Sequence, residues 1–122
     1  MKNYKILFLD DDPMITMSAA LYLKPLCEKI VFTETGEECL EILKKDNDFE
    51  IILVDYMLPG MNGVEVLEVI KKDKRTKHIP VLVQTGMLDV PEKEIEENGG
   101  LLIKKPYSRT LIEETIAKII GR

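Results

Sequence analysis

The sequence predicts an α/β fold, a single doubly wound parallel sheet of five strands with helices on both faces. Three observations carry this. Short continuous apolar runs, built from β-branched and aliphatic residues without strict alternation, recur five times along the 122 residues, as expected of strands covered on both faces. Each run is followed by a segment whose apolar residues fall at helical spacing, so strand and helix alternate and parallel pairing follows. The length suits one domain that buries a core without a disulfide or structural metal, so residues 1–122 are expected to form one domain with no output module.

The elements follow in order. Ile6, Leu7, Phe8 and Leu9 form the first run, closed by Asp10, Asp11 and Asp12. A helix is expected over 14–23, with Asp12 as its N-cap ahead of Pro13. Pro25 stops it, because the residue before a proline, Lys24, is biased towards extended geometry. The second run is short, 30–32, and its helix covers 36–45 with Cys39, Leu40, Ile42 and Leu43 on one side. The third run, 51–54, ends in Asp55. Asn62 caps the helix expected over 63–72. The charge-rich stretch 71–77 reads as a solvated loop, and His78 as a loop histidine. The fourth run, 81–83, ends in Gln84, Thr85 and Gly86. A short, very acidic helix is expected over 91–97, with Pro91 in its first turn. The fifth run, 101–103, ends in Lys104, Lys105 and Pro106, and Ser108 caps a last helix reaching residue 120.

Composition excludes several classes. With 17 basic against 22 acidic residues and a net charge of −5, the chain lacks the basic face that nucleic acids and acidic membranes require. No apolar run approaches the roughly 18 residues that cross a bilayer, and the N-terminus has no signal-peptide pattern. Cys27 and Cys39 lack metal-ligand spacing and read as reduced thiols of a cytoplasmic protein. The six methionines read as fillers of core and loop gaps.

In open parallel sheets the ligand site lies beyond the carboxyl ends of the strands. Asp10, Asp11 and Asp12, Asp55, Thr85 with Gly86, and Lys105 all stand there, so they are expected to converge. Carboxylates gathered this closely either hold protons or are compensated by a cation, and oxygen ligands in an open pocket suit Mg²⁺. Gly86 leaves its backbone N–H open to a ligand. The set describes a phosphoryl site with a carboxylate nucleophile.

Residues 6–13 (Ile-Leu-Phe-Leu-Asp-Asp-Asp-Pro), residues 51–63 around Asp55, residues 79–86 ending Gln-Thr-Gly, and Lys105-Pro106-Tyr107 together resemble a response-regulator receiver domain, in order and over essentially the whole chain. The resemblance implies a flavodoxin-like sheet of order 2-1-3-4-5. It makes Asp55 the phosphoacceptor and Asp10 and Asp11 the acid pair, with Asp11 a direct Mg²⁺ ligand and Asp10 acting mainly through a bound water. Asp55 and the backbone carbonyl of Met57 complete the metal set. Thr85, Gly86 and Lys105 bind the phosphoryl group, Thr85 reports its presence, and the Lys105–Pro106 peptide is cis. The implied partners are a sensor histidine kinase or histidine phosphotransfer protein and a downstream protein, with the chain a monomer or weak dimer.

The sequence departs from that pattern between Asp89 and Gly100, where the fourth helix is shortened, and at Leu102, which occupies the position of an aromatic switch residue. Two other readings stand beside the receiver. Asp10-Asp11-Asp12, Thr85 and Lys105 also resemble the motif order of haloacid-dehalogenase-like phosphatases, which would make Asp10 the nucleophile and the protein an enzyme. A non-phosphorylated interaction module on the same fold is the third.

Overall fold

The computed structural model describes residues 4–86, 90–105 and 108–121. β1 (Tyr4–Leu9), β2 (Cys27–Thr33), β3 (Ile51–Asp55), β4 (Val81–Thr85) and β5 (Leu101–Lys104) form one parallel sheet of order β2-β1-β3-β4-β5. α1 (Pro13–Leu23), α2 (Gly36–Lys45), α3 (Gly63–Lys72), α4 (Glu92–Glu97) and α5 (Arg109–Ile120) cover it. The expected architecture and strand order are those observed.

Alternation along each strand divides the interior into two cores. Leu7, Leu9, Ile52, Val54, Val81 and Val83 face α2, α3 and α4. Ile6, Phe8, Ile51, Leu53, Leu82 and Ile103 face α1 and α5. The central strands β3 and β4 are buried at every position, whereas the edge strands β2 and β5 expose Glu28, Lys29, Leu101 and Lys104. That is why the second apolar run looks short. The strand begins at Cys27, but its first turns lie on the edge and carry charge.

Local sequence sets the helix starts. The Asp12 side chain accepts from the Met14 N–H, Thr35 from Glu38 and Ser108 from Leu111. Asn62 and Glu65 cap α3 reciprocally, each side chain accepting from the other's backbone N–H. Lys24 corrects the expectation at the first helix end. It is helical, at φ −51° and ψ −44°, and Lys24–Leu26 continue as a 3₁₀ turn. Pro25 sits at the start of that turn, where its missing N–H is not needed, and the turn delivers Leu26 into the core.

Two further expectations change. Lys71, at the head of the charged stretch, is half-buried and donates to the carbonyls of Lys77 (3.1 Å) and Ile79 (2.7 Å), while Thr76 is buried against the Ile70 carbonyl. Lys72, Lys74, Arg75 and Lys77 are exposed as expected, so Lys71 and Thr76 are the residues that tie the segment to its neighbours. Met14, Met17 and Met57 are 70%, 66% and 57% exposed, so these methionines fill no gap. Cys27 and Cys39 are free thiols, and burial pushes them up to about 11 and 12. Among the described residues no helix is long and apolar enough to cross a membrane.

Candidate functional site

The carboxyl ends of β1, β3 and β5 meet in an open pocket walled by Asp10, Asp11, Asp12, Asp55, Met57, Leu58, Pro59 and Lys105. β1 and β3 run in register from Ile6↔Ile51 to Leu9↔Val54, so Asp10 and Asp55, each one step beyond, arrive side by side. The β3–α3 loop returns sharply. The Gly63 N–H donates to the Tyr56 carbonyl at 2.9 Å, and a Cβ on Gly63 would stand 2.7 Å from the Asp55 carbonyl oxygen. Only glycine permits that approach. Across the sheet, the Lys105 N–H donates to the Thr85 carbonyl at 2.7 Å, which aims the lysine back over β3.

Asp10, Asp11 and Asp55 each offer an oxygen within 4.8 Å of the others. Asp10 is buried and accepts at both oxygens, from the Asp12 N–H at Oδ1 (2.9 Å) and from Lys105 Nζ at Oδ2 (3.0 Å). Lys105 Nζ also donates to Asp55 Oδ1 at 3.0 Å. Asp55 Oδ2 accepts no hydrogen bond among the described residues. Asp11 is exposed.

Three carboxylates against one ammonium leave an uncompensated negative charge. Burial pushes the Asp55 carboxyl up to about 6; the Lys105 hydrogen bond opposes this, and the charges of Asp10 and Asp11 add to the rise. For Lys105, burial pulls the ammonium down, but its hydrogen bonds to Asp55 and Asp10 outweigh this and the net direction is upward. A hard divalent cation is the natural complement of such a set: the donors are all oxygens, the pocket is open to water, and the ligand groups already stand close enough to share an ion.

The other expected site residues lie close by. Thr85 is buried at the end of β4, and Gly86 follows it. Neither is among the pocket walls. Among the described residues, a Cβ on Gly86 would meet only the Lys105 Cβ, at 3.9 Å, an ordinary contact. Leu102 is half-buried, pairs with Val83 and packs against the α2–α3–α4 core. Lys104 is exposed and Asp12 caps α1. The Lys105–Pro106 peptide and Met87 lie outside the described residues. Sequence reading passed over Gln84, which is fully buried, with Nε2 3.5 Å from Asp10 Oδ2. A glutamine breaking an apolar strand was the available signal.

The model of the response regulator receiver domain matches residues 6–117. Chemotaxis protein CheY-3 of Vibrio cholerae is 34% identical over 99% of this chain and 95% of its own length. The crystal structure of a putative response regulator from Chloroflexus aurantiacus superposes with a TM-score of 0.90 at 24% identity, covering 99% of this chain and all of that one. The receiver domain of sensor histidine kinase PA1611 from Pseudomonas aeruginosa, solved with a magnesium ion coordinated in the active site cleft, superposes with a TM-score of 0.86 at 19% identity, covering 98% of this chain and 99% of that one. Strand order, the acidic pocket with its lysine and a family match spanning nearly every element agree, and the chain belongs to the response regulator receiver domain family.

Proposed function

We propose that this protein is the phosphoacceptor of a two-component relay, taking a phosphoryl group onto Asp55 and changing its binding to a downstream protein. One observation carries the choice of acceptor. Both oxygens of buried Asp10 are committed to donors, whereas Asp55 keeps Oδ2 without a donor among the described residues. This argues equally against the phosphatase reading, which needs Asp10 as the nucleophile.

Asp55 Oδ2 attacks phosphorus. The bond from phosphorus to the donor's histidine nitrogen breaks, and its electron pair leaves on the imidazole. A small acyl phosphate serves in the same way through its P–O bond. Asp11, Asp55 and the Met57 carbonyl would hold Mg²⁺, with Asp10 acting mainly through water, and the ion would supply charge compensation for the phosphoryl oxygens. Lys105 turns from Asp55 Oδ1 to a phosphoryl oxygen. The Thr85 hydroxyl and Gly86 N–H donate to the others, and the movement of Thr85 transmits the change. Water later hydrolyses the acyl phosphate. The protein assists this chemistry on itself and turns over no metabolite. The magnesium in the PA1611 receiver cleft supports the choice of ion.

The test is incubation with Mg²⁺ and a small acyl phosphate, followed by mass spectrometry of peptides. Label on Asp55, lost in Asp55→Asn, is the expected result. Label on Asp10 overturns the assignment, and no label on either removes the phosphoacceptor reading.

A further inference from the structure

Gln84 is a buried amide in a strand that reads Val-Leu-Val-Gln-Thr. It pairs with Asp55 across the β3–β4 ladder, and its backbone carbonyl accepts from the N–H of Tyr56, the next residue, at 2.9 Å. Its Nε2 lies 3.5 Å from Asp10 Oδ2, the same oxygen that Lys105 Nζ holds at 3.0 Å. An aliphatic residue would pack at this position without carrying a buried amide. A donor at 3.5 Å is at the long limit of an N–H···O bond. Two donors thus share one acceptor, and the lysine is the nearer.

We propose that Gln84 is a positioning residue, the reserve donor on Asp10 Oδ2, which closes onto that oxygen when Lys105 leaves it for an incoming phosphoryl group. The inference rests on the phosphoacceptor reading. The Asp10 side chain is completely shielded from solvent. Without a second donor, departure of Lys105 removes the nearer protein hydrogen bond to a carboxylate oxygen shielded from bulk solvent, and the resulting penalty draws the lysine back. Gln84 lowers that penalty and so frees Lys105 for the reaction.

Gln84→Met keeps the length and shape of the side chain and removes the donor. It is expected to unfold at the wild-type temperature without metal, yet to take label from a small acyl phosphate about three- to tenfold more slowly. In a Lys105→Met background, where no lysine has to be released, the same substitution is expected to leave the labelling rate unchanged. A merely structural role for Gln84 slows both backgrounds alike, and that result overturns the proposal, as does equal labelling of wild type and Gln84→Met. A metal-free measurement decides independently. In Lys105→Met, the Gln84 side-chain NH₂ resonances are expected to move downfield and exchange more slowly as the amide closes on Asp10; resonances identical to wild type refute it. If wild type takes no label at all, the phosphoacceptor reading fails, and the resonance measurement alone settles the Gln84 assignment.

Discussion

Asp55 carries the site's electrostatic conflict. Its carboxyl, ordinarily near 3.8, stands at about 6 in the fold, through burial first and the neighbouring carboxylates next. The native state therefore holds this proton more tightly than the unfolded chain. The stability this contributes is full below about pH 4 and is lost as pH rises through about 6, so at neutral pH an ionised Asp55 costs on the order of 1–3 kcal/mol. Asp55→Asn removes the charge and leaves Lys105 a neutral acceptor in place of a charged one. It is expected to raise unfolding stability at pH 7 by about 1 kcal/mol and to leave it unchanged near pH 4. Urea unfolding at the two values checks this, and equal gains at both would mean that the effect is not titration of Asp55. Lys105 is the residue whose role a sequence conveys least. Its position at a strand end is legible, but its simultaneous 3.0 Å bonds to Asp10 and Asp55 depend on the packing of three separate strands.

Among the elements, α1 matches its expected bounds to within a residue, but its buried face is the least legible in sequence. Its apolar residues spread around the whole helix, so hydrophobicity alone does not reveal which face is buried. The fold buries Ala19 and Leu23 and leaves Met14, Met17 and Leu21 exposed, Leu21 at 81%. These three share one face by their spacing. The stripe begins two residues after Asp12, which walls the acidic pocket, and Met17 lines a cleft that also touches Asp10 and Asp11. An exposed apolar stripe beside this rim is a candidate footing for a protein phosphodonor. Met17→Glu and Leu21→Glu are each expected to slow transfer from a phosphorylated histidine protein at least tenfold and to leave labelling by a small acyl phosphate intact. Equal loss with both donors would rule out a docking role. α4 is a contrasting case, since its shortness is legible in the sequence. Its closure becomes visible only in the fold, where Gly99 at φ +85° and the Gly100 N–H donating to the Ile95 carbonyl end it in a Schellman motif. The turn after β3 is equally unforgiving. Gly63→Ala sets a methyl against backbone 2.7 Å away and is expected to cost about 1–3 kcal/mol in thermal or denaturant unfolding, while displacing Asp55 and slowing its labelling.

At the scale of the whole molecule, the two cores make the sheet a rigid platform and leave the chemistry at one end. β1, β3 and β4 are buried on both faces, so their central amides are expected to exchange slowest. A phosphoryl mimic with Mg²⁺ is expected to change exchange protection at the carboxyl ends of β4 and β5, from Thr85 to Lys105, and to leave α2 as it was. Unchanged protection from Thr85 to Lys105 would refute coupling between the phosphoryl site and this edge. Leu102, an aliphatic side chain packed beside Val83, has no ring to swing at this edge.

The sequence by itself determined the strand count, the alternation with helices, the parallel sheet and the residues at its carboxyl ends. All of these follow from local periodicity and from the rule that a parallel sheet places its strand ends together. It also located most helix starts, because capping is a contact within a few residues. Tertiary structure alone decided which carboxylates are buried, which carboxylate oxygens meet a donor, how Lys105 and Gln84 share Asp10, and which side of α1 faces water. Those outcomes depend on register between strands distant in the chain, and an apolar run or an aspartate looks the same in sequence whichever neighbour it meets.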